Sequence, residues 1–248
     1  MSRSLILADI HGNIDALDAV LRAAETLRID RVLLLGDLVG YNAAPADVLR
    51  RLDTLAPAAS VRGNHDKVCA GLEPSTAFHP LAREAIEWTR HHLSPADLTR
   101  LAALPEGPLG LGETLEICHG APFDEDFYVT GAMDARRAIE SAGAPICLHG
   151  HTHVPSVFVT RGFAVREELL RDDALQVVAL PSAGRMLANV GSVGQPRDGD
   201  SRAAFGVLDQ GAGTLELHRV AYDVAAAQRR IIAAGLPAAL ADRLERGL

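Results

Sequence analysis

Three histidines lie within five positions in the segment CLHGHTH (147–153), directly after a short apolar run. His151 and His153 flank a single residue, and two imidazoles this close seldom serve packing alone. Because histidine is the commonest metal ligand among the side chains, the pair indicates a metal site. The remaining ligands of such a site must come from other segments of the chain.

Four other segments place a ligand-type side chain immediately after a predicted strand: ADIHGN with Asp9 and His11, LGDLVGY with Asp37, RGNHD with Asn64 and His65, and CHGAP with His119. An isolated GD or GN pair is usually only a turn. Ligands, however, tend to bind at the carboxyl ends of strands in open α/β sheets. Five such clusters, each ending a strand, therefore indicate the ligand set of a two-metal centre.

The elements that must position these side chains begin with alternating strands and helices. Short apolar runs predict five buried strands, within residues 4–8, 31–37, 58–66, 110–120 and 144–150. Apolar residues recur at helix spacing in residues 17–27. This β-α-β-α order favours a parallel sheet with its helices packed on the outside.

The second half of the chain changes character after residue 154, where strand-like segments follow one another. The last two of them are joined by the Gly-rich turn QGAG (210–213). Helices are predicted at residues 79–93, 223–234 and 237–246, and SPADL (94–98) supplies the cap of another. The pattern predicts an α/β (α+β) fold with two face-to-face β-sheets, in one domain (1–248) with a helical cap or insertion (67–108).

The composition is that of an ordinary globular protein, with 48% apolar and 23% charged residues and a formal net charge of −8. This charge, without a basic run, gives no indication of a nucleic-acid partner. Cys69, Cys118 and Cys147 form no C-x-x-C pair, so we expect free thiols in a reducing compartment. No signal-peptide core or long apolar stretch is present, so we expect a cytoplasmic protein without membrane contact.

The order of the five clusters resembles the calcineurin-like metallophosphoesterase superfamily, whose motifs run D-x-H, G-D, G-N-H, H and G-H-x-H. The resemblance covers nearly the whole chain, from Asp9 to NVGSVGQPRDG (189–199), which looks like small bacterial members. It implies a four-layer double β-sandwich flanked by helices, which agrees with the predicted elements. The activity it implies is metal-dependent hydrolysis of phosphate esters, either diesters or monoesters.

Carried over position by position, the resemblance implies two divalent metal ions that share Asp37. One ion would be held by Asp9, His11, Asp37 and His153, and the other by Asp37, Asn64, His119 and His151. Bridging suits a carboxylate, which has two oxygens. Mixed imidazole and oxygen ligands favour Mn²⁺, Fe²⁺, Zn²⁺, Co²⁺ or Ni²⁺ over Ca²⁺ or Mg²⁺, without choosing among them.

The implied mechanism is in-line attack on phosphorus by a metal-bound hydroxide, without a phospho-enzyme. Two divalent ions, two aspartates and a hydroxide leave a net positive charge, which attracts an anionic ester. His65 matches the family histidine that stabilises the transition state or protonates the leaving alkoxide. Tyr41, Asn64 and Arg197 are the candidate substrate contacts, although Arg197 can equally be a solvated residue of a Gly-rich loop.

One stretch departs from the family pattern. Ser/Thr protein phosphatases continue their second motif as G-D-x-x-D-R-G, whereas this chain has GDLVGYN, with Gly40 at the acid position and Tyr41 at the arginine position. A protein phosphatase is therefore disfavoured, and His65 lacks its usual orienting partner. His149 matches no family ligand, so we expect it to pack in the core or to hold a ligand in its tautomer.

Other functions stay open at this point. A dinucleoside-polyphosphate hydrolase needs a basic groove, which a net charge of −8 does not suggest. A scaffold on the same fold, like the retromer subunit of this architecture, or a metal-storage protein would not need the full ligand set with His65. Substrate selection is expected in residues 67–108, where Phe78 and Trp88 either line a pocket or pack in the core. The oligomeric state is left open.

Overall fold

The computed structural model describes residues 2–162, 164–170 and 173–248. Within these ranges the strands are Arg3–Leu7 (β1), Arg31–Leu34 (β2), Ala59–Ser60 (β3), Leu109–Gly110 (β4), Leu115–Ile117 (β5), Ile146–His149 (β6), Ser156–Arg161 (β7), Ala164–Glu167 (β8), Leu175–Ala179 (β9), Met186–Asn189 (β10), Ala203–Asp209 (β11) and Thr214–Val220 (β12). The α-helices are Ile14–Ala24 (α1), Pro45–Asp53 (α2), Asn64–Cys69 (α3), Pro80–His92 (α4), Pro95–Ala102 (α5), Ala132–Ser141 (α6), Val224–Ala233 (α7) and Ala238–Arg246 (α8), and a 3₁₀ turn spans Ser75–Ala77.

The strands form two six-stranded sheets. The first sheet has the order β3-β2-β1-β11-β12-β9, and the second has the order β4-β5-β6-β10-β7-β8. Each sheet contains three adjacent parallel strands, namely β1 to β3 in the first and β5, β6 and β10 in the second. The other pairings are antiparallel. The predicted α/β architecture of two stacked sheets flanked by helices is confirmed.

The core between the sheets arises from alternation along the central strands, whose successive side chains point to opposite faces. In β1, Ile6 belongs to the cluster between the sheets, whereas Leu5 and Leu7 pack against the helices outside. Leu33 of β2 and Leu148 of β6 join Ile6 between the sheets. All five side chains are fully or almost fully buried, so both faces of the first sheet are covered.

Helices cover the outer faces of both sheets. Helix α1 packs Leu17 against the first sheet, and α6 packs Ile139 against the second. Helices α4, α7 and α8 share a further apolar cluster at one side of the fold. Asn13 begins α1 by accepting the Ala16 N–H at 3.1 Å, which fixes the start of this helix directly after the loop that carries His11.

The parallel strands bring their carboxyl ends to one place. The loops after β1, β2 and β3 leave the first sheet there, and the loops after β5, β6 and β10 leave the second. Each ligand cluster predicted from the sequence lies in one of these loops or at the helix start that follows it. The site is therefore built where the edges of two sheets meet, with three strand ends from each sheet.

Some elements carry too weak a pattern to be predicted from sequence. Strand β8 is mostly exposed and shows no apolar alternation, and α6 buries mainly small side chains. No helix in the described ranges is long and apolar enough to cross a membrane. Residues 67–108 contain α4 and α5, but the assignment of 1–248 to one domain with this segment as a cap stays a prediction.

A matched pair of leucine substitutions tests the core between the sheets. Leu148 is 0% exposed and Leu169 is 90% exposed. We expect Leu148→Ala to lower the free energy of unfolding by about 2–5 kcal/mol, because it leaves a cavity between the sheets. Leu169→Ala should change it by less than about 0.5 kcal/mol. Urea unfolding followed by circular dichroism measures both, and equal effects would contradict the assigned core.

Candidate metal centre

The ligand-type side chains meet in two groups at the ends of the sheets. One group contains Asp9, His11, Asp37 and His153, and the other contains Asp37, His119 and His151. Within each group one ligand atom per residue lies within 4.8 Å of the others, and every member is buried. Asp37 belongs to both groups, which is the division predicted from the sequence.

Backbone carbonyls fix the orientation and the tautomer of three of these rings. In each ring Nδ1–H donates to a carbonyl oxygen: His11 to Val39 at 3.1 Å, His119 to Leu35 at 2.8 Å and His153 to Gln195 at 2.6 Å. A carbonyl oxygen only accepts, so Nδ1 carries a proton and Nε2 is the nitrogen left to bind a metal ion. This is the arrangement that metal-bound histidines adopt.

The Nε2 atoms of these rings face other ligand-type atoms. Nε2 of His11 lies 3.1 Å from Nε2 of His153 and 3.4 Å from Oδ2 of Asp37. Nε2 of His119 lies 3.2 Å from Oδ1 of Asn64 and 3.5 Å from Oδ2 of Asp37. The neutral rings of His11 and His153 repel each other at this distance unless a cation lies between them, and Nε2 of His119 needs a proton or a metal ion between it and these oxygens. The donor set therefore fits divalent cations on both sides of Asp37.

His151 presents the opposite ring nitrogen. Its Nε2–H donates to the carbonyl oxygen of Asp126 at 3.1 Å, so the lone pair is on Nδ1. The ring of Tyr128 lies over it, with the centroids 3.9 Å apart, and the ring of His119 is 4.7 Å away. The loop that carries Asp126 and Tyr128 therefore sets how His151 meets the second group.

The two carboxylate oxygens of Asp37 make different contacts. Oδ1 accepts the backbone N–H of His65 at 2.9 Å, whereas Oδ2 faces the rings of His11 and His119. Oδ2 therefore lies between the two groups, and the sharing of Asp37 by two metal ions stays a prediction. Asp9 accepts the backbone N–H of His151 with both oxygens at 3.1 Å.

Burial keeps most of the rings neutral. It lowers the pKa of His11 and His153 well below the ordinary value, that of His65 to about 4 and that of His151 to about 3. A neutral imidazole is the form that binds a metal ion. These rings therefore need not lose a proton before they bind a cation near neutral pH.

His119 and the two aspartates behave differently. Burial disfavours a charged His119, but the negative charge of Asp37 outweighs it and raises the pKa of His119 to about 10. Burial also opposes ionisation of Asp37, yet the neighbouring His119 holds the pKa of Asp37 well below its usual range. Burial raises the pKa of Asp9 to about 7, opposed by His119 and reinforced by Asp37. Without a metal ion, a proton on His119 thus balances Asp37, and a cation would replace it.

The loops of the site adopt a left-handed backbone at non-glycine residues. Positive φ angles occur at Asp9 (52°), His11 (50°), Asp37 (53°), Tyr41 (55°), His151 (68°) and His153 (61°). Elsewhere in the described ranges only Arg28 and Ala56 share this feature among non-glycine residues. Such conformations cost roughly 1–3 kcal/mol each and persist where the surrounding structure imposes them. Their concentration here marks the loops as specialised for placing these side chains.

His65 lies beside the first group. Its ring centroid is 4.8 Å from that of His11, 4.5 Å from that of Tyr41 and 5.1 Å from that of Phe78. Within the described residues its buried Nδ1 has no hydrogen-bond partner, in keeping with the absence of an acid at position 40. A Cβ atom on Gly40 would lie 2.4 Å from this Nδ1. Glycine at position 40 therefore makes room for the ring.

Arg197 is held at the edge of the site. Its Nη2 donates to the hydroxyl of Tyr41 and to Oε1 of Gln195, both at 3.2 Å. Its Nε is buried and has no partner among the residues that the structure describes. The Tyr41 ring in turn lies 4.7 Å from the ring of His11. These contacts favour a fixed cation at the site over a solvated loop residue.

Asp66 supports the site, although the sequence analysis did not single it out. Its Oδ1 accepts the N–H groups of Leu38 and Val39 at 2.9 and 3.2 Å, and its Oδ2 accepts that of Gly63 at 3.0 Å. It therefore ties the loop after β2 to the loop after β3. An acid at the third position of a helix after glycine is a capping pattern that could have identified it.

A buried ion-pair network holds the loop that orients His151. Nζ of Lys67 lies 2.6 Å from Oδ2 of Asp126, 3.1 Å from Oε1 of Glu125 and 3.2 Å from Oε1 of Glu73. Arg62 also pairs with Glu125, at 2.8 Å. The sequence positions of these charged residues do not predict that they form ion pairs with one another.

Several other histidine, tryptophan and cysteine side chains lie outside the two ligand groups. His149 is buried, and within the described residues its ring makes no hydrogen bond to a candidate ligand. Trp88 donates its indole N–H to the carbonyl of Ala234 at 3.1 Å and packs away from the site. The sulfur atoms of Cys118 and Cys147 lie 3.7 Å apart as buried free thiols.

Comparison with protein families and sequences gives a consistent result. Residues 3–212 match the family model of the calcineurin-like phosphoesterase superfamily domain. A protein of Methanocaldococcus jannaschii described as uncharacterised is 32% identical over an alignment of 248 positions, which covers 98% of this chain and 97% of that protein. Both matches extend over the segments that carry the two ligand groups.

Two solved structures share the whole architecture. A metallophosphoesterase from Sphaerobacter thermophilus is 35% identical, with a TM-score of 0.86 over 100% of this chain and 99% of its own. A hypothetical protein from Pyrococcus horikoshii has a TM-score of 0.81 over 100% of this chain and 99% of its own. At 20% identity, the second similarity shows the fold alone.

Metal binding can be tested by thermal stability. We expect Mn²⁺ or Zn²⁺ at about 100 times its Kd to stabilise the metal-free protein by about 2.7 kcal/mol and to raise its Tm. The shift should shrink in Asp37→Asn, because the oxygen shared by both groups loses its charge. Asp47→Asn is the control, since Asp47 is half exposed and pairs with Arg50 on α2. Equal metal-induced shifts in the two variants would contradict the proposed ligand set.

The fit between Gly40 and His65 gives a second test. Gly40 has a φ of 94°, and its added Cβ would meet the His65 ring. We expect Gly40→Ala to destabilise the protein by roughly 1–3 kcal/mol. Gly110→Ala is the control, since a Cβ there meets nothing within 4 Å. Urea unfolding compares the two variants, and a neutral Gly40→Ala would show that the ring is not confined by this glycine.

Proposed function

This chain belongs to the calcineurin-like phosphoesterase superfamily, and from that premise we propose that it hydrolyses small phosphate esters with a two-metal centre. Membership implies metal-dependent phosphoester hydrolysis. The observation that carries the finer proposal is the shared oxygen: Oδ2 of Asp37 faces the ring nitrogens of His11 and His119 at 3.4 and 3.5 Å. A centre for one ion would not need ring nitrogens on both sides of a carboxylate.

In the proposed centre Asp37 is common to two cations. The first would also bind Asp9, His11 and His153, and the second would also bind Asn64, His119 and His151. When bound, such ions lower the pKa of a water molecule and neutralise the charge that develops on the phosphoryl oxygens. The mixture of imidazole, carboxylate and amide ligands suits Mn²⁺, Fe²⁺, Zn²⁺, Co²⁺ or Ni²⁺.

His65 is proposed to act on the oxygen that leaves phosphorus. Its Nδ1 is buried against Gly40, so Nε2 is the nitrogen available to a substrate. A hydrogen bond from Nε2–H would stabilise negative charge on a phosphoryl or leaving oxygen. Its own backbone N–H is fixed to Asp37 at 2.9 Å, which couples the position of this ring to the proposed centre.

Arg197 is proposed to bind a phosphoryl oxygen. Tyr41 and Gln195 hold its Nη2, and its Nε is buried without a partner in the described part of the chain. A guanidinium whose plane is already fixed loses little freedom when it binds an anion. Tyr41 then acts mainly by placing Arg197, while its ring packs against His11 and His65.

Reconstitution of the metal-free protein tests this proposal. Samples loaded with Mn²⁺, Zn²⁺, Ni²⁺ or Mg²⁺ are assayed on a generic aryl phosphodiester and the matching monoester. We expect a transition metal to restore turnover and Asp37→Asn to lower it by about 100-fold or more. His65→Ala should lower kcat by roughly 10²–10⁴-fold without loss of bound metal, because the ring acts on the substrate.

His91→Ala serves as the control for the histidine substitution, since His91 is exposed on α4 and contacts its own helix. It should leave kcat and metal content unchanged. Protein that binds two equivalents of metal and turns over neither ester would contradict the proposed function and favour a binding or scaffold role. Turnover that survives His65→Ala would remove His65 from the mechanism. The ratio of diester to monoester turnover identifies the preferred ester class.

A further inference from the structure

A small cleft opens beside His65 on the side away from the first ligand group. Its volume is about 310 Å³, at the lower end of the range for ligand pockets. His65, Asn64 and His151 form its inner end, so it leads directly to the proposed centre. A group bound in it would be attached to a phosphorus atom held by the two ligand groups.

Part of the wall of the cleft is aromatic and apolar. Tyr41, Phe78, His79 and Tyr128 contribute rings, and Pro74, Ala77 and Ala82 contribute small apolar surfaces. The Phe78 ring stands edge-on to His65 with the centroids 5.1 Å apart, so Phe78 lines the cleft and does not serve the core alone. Such a surface favours an apolar or flat substituent over a strongly hydrated one.

The lysine that lines the cleft is already paired with carboxylates. This lysine, Lys67, is only 3% exposed and its Nζ contacts Glu73, Asp126 and Glu125. The side chains of Glu73 and Asp126 are about half exposed at the cleft. One buried cation thus faces three carboxylates, and the accessible charge at the rim is negative.

Arg197 lies next to the cleft without lining it. Its Nη2 is held by Tyr41 and Gln195, so it contacts the cleft through the Tyr41 side chain. The exposed charged side chains that line the cleft itself are those of Glu73 and Asp126.

We propose that this cleft binds the alcohol portion of the substrate and selects compact, uncharged or cationic leaving groups over anionic ones. The inference rests on the proposed phosphoesterase function, since it assigns the place next to His65 where the alcohol portion of the ester would bind. An anionic leaving group would approach the exposed carboxylates of Glu73 and Asp126, and the Lys67 ammonium between them is already paired with both. Dinucleoside polyphosphates, whose leaving group carries further phosphates, are therefore poor substrates on this assignment.

The test uses three methyl aryl phosphodiesters whose phenols have matched pKa values and carry a neutral, a carboxylate or a trimethylammonium substituent. The metal-loaded full chain is assayed on each, or on the corresponding aryl monoesters if it prefers monoesters. We expect kcat/KM for the anionic ester to be about fivefold below that for the neutral one, the factor that one unit-charge contact supplies in water. The cationic ester should be hydrolysed at least as well as the neutral one.

The Glu73→Gln variant tests whether the negative charge at the rim of the cleft causes the discrimination against the anionic ester. It should reduce the discrimination against the anionic ester to about twofold, because one negative charge is removed. Glu84→Gln is the matched control, since Glu84 is exposed on α4 and does not line the cleft. It should leave the discrimination unchanged.

Preference for the anionic ester, or discrimination that Glu73→Gln does not alter, would overturn the assignment of the cleft. These results are distinct from failure of the proposed function, which would appear as no hydrolysis of any ester by metal-loaded protein. A loss of discrimination in Glu84→Gln as large as in Glu73→Gln would also count against the cleft, because it would show a general effect of surface charge.

Discussion

The site depends on histidine rings that cannot turn. A backbone carbonyl accepts a hydrogen bond from one nitrogen of each ring in the two groups, so the other nitrogen is left to face the remaining ligand atoms of its group. Buried lone pairs 3.1 Å apart, as between His11 and His153, are unfavourable until a cation lies between them. The fold therefore holds the ligand side chains in place before a metal ion binds. A bound cation would remove the repulsion between the ring nitrogens of His11 and His153.

This arrangement needs loops that hold unfavourable backbone conformations. The loops start from strands with both faces covered, which fixes where each loop begins. Asp66 then joins two of the loops through three backbone N–H groups, and Ser192 accepts from Gln195 while donating to the carbonyl of Asp9. These contacts offset the cost of the left-handed residues, because satisfied buried hydrogen bonds oppose any local relaxation.

The features that could be predicted from the sequence are those that depend on residue type alone. Alternating apolar residues predicted the central strands, and Asp9 or His153 could be identified as ligand types at strand ends. The orienting carbonyls of Val39 and Asp126 could not be predicted, since every residue has a carbonyl. The contact between Phe78 and His65 could not be predicted either, because it arises from tertiary packing. The different contacts of the two Asp37 oxygens likewise depend on the backbone around them.

The strand order has a consequence for how the protein is made. β1 lies between β2 and β11, with Arg3 opposite Asp209, so the strand that leads to Asp9 gains its second neighbour late in synthesis. Contacts so distant along the chain slow folding. All the candidate ligands precede Val154, yet β10 and β11 follow it. A nascent chain released before β11 would carry every ligand and still have no centre.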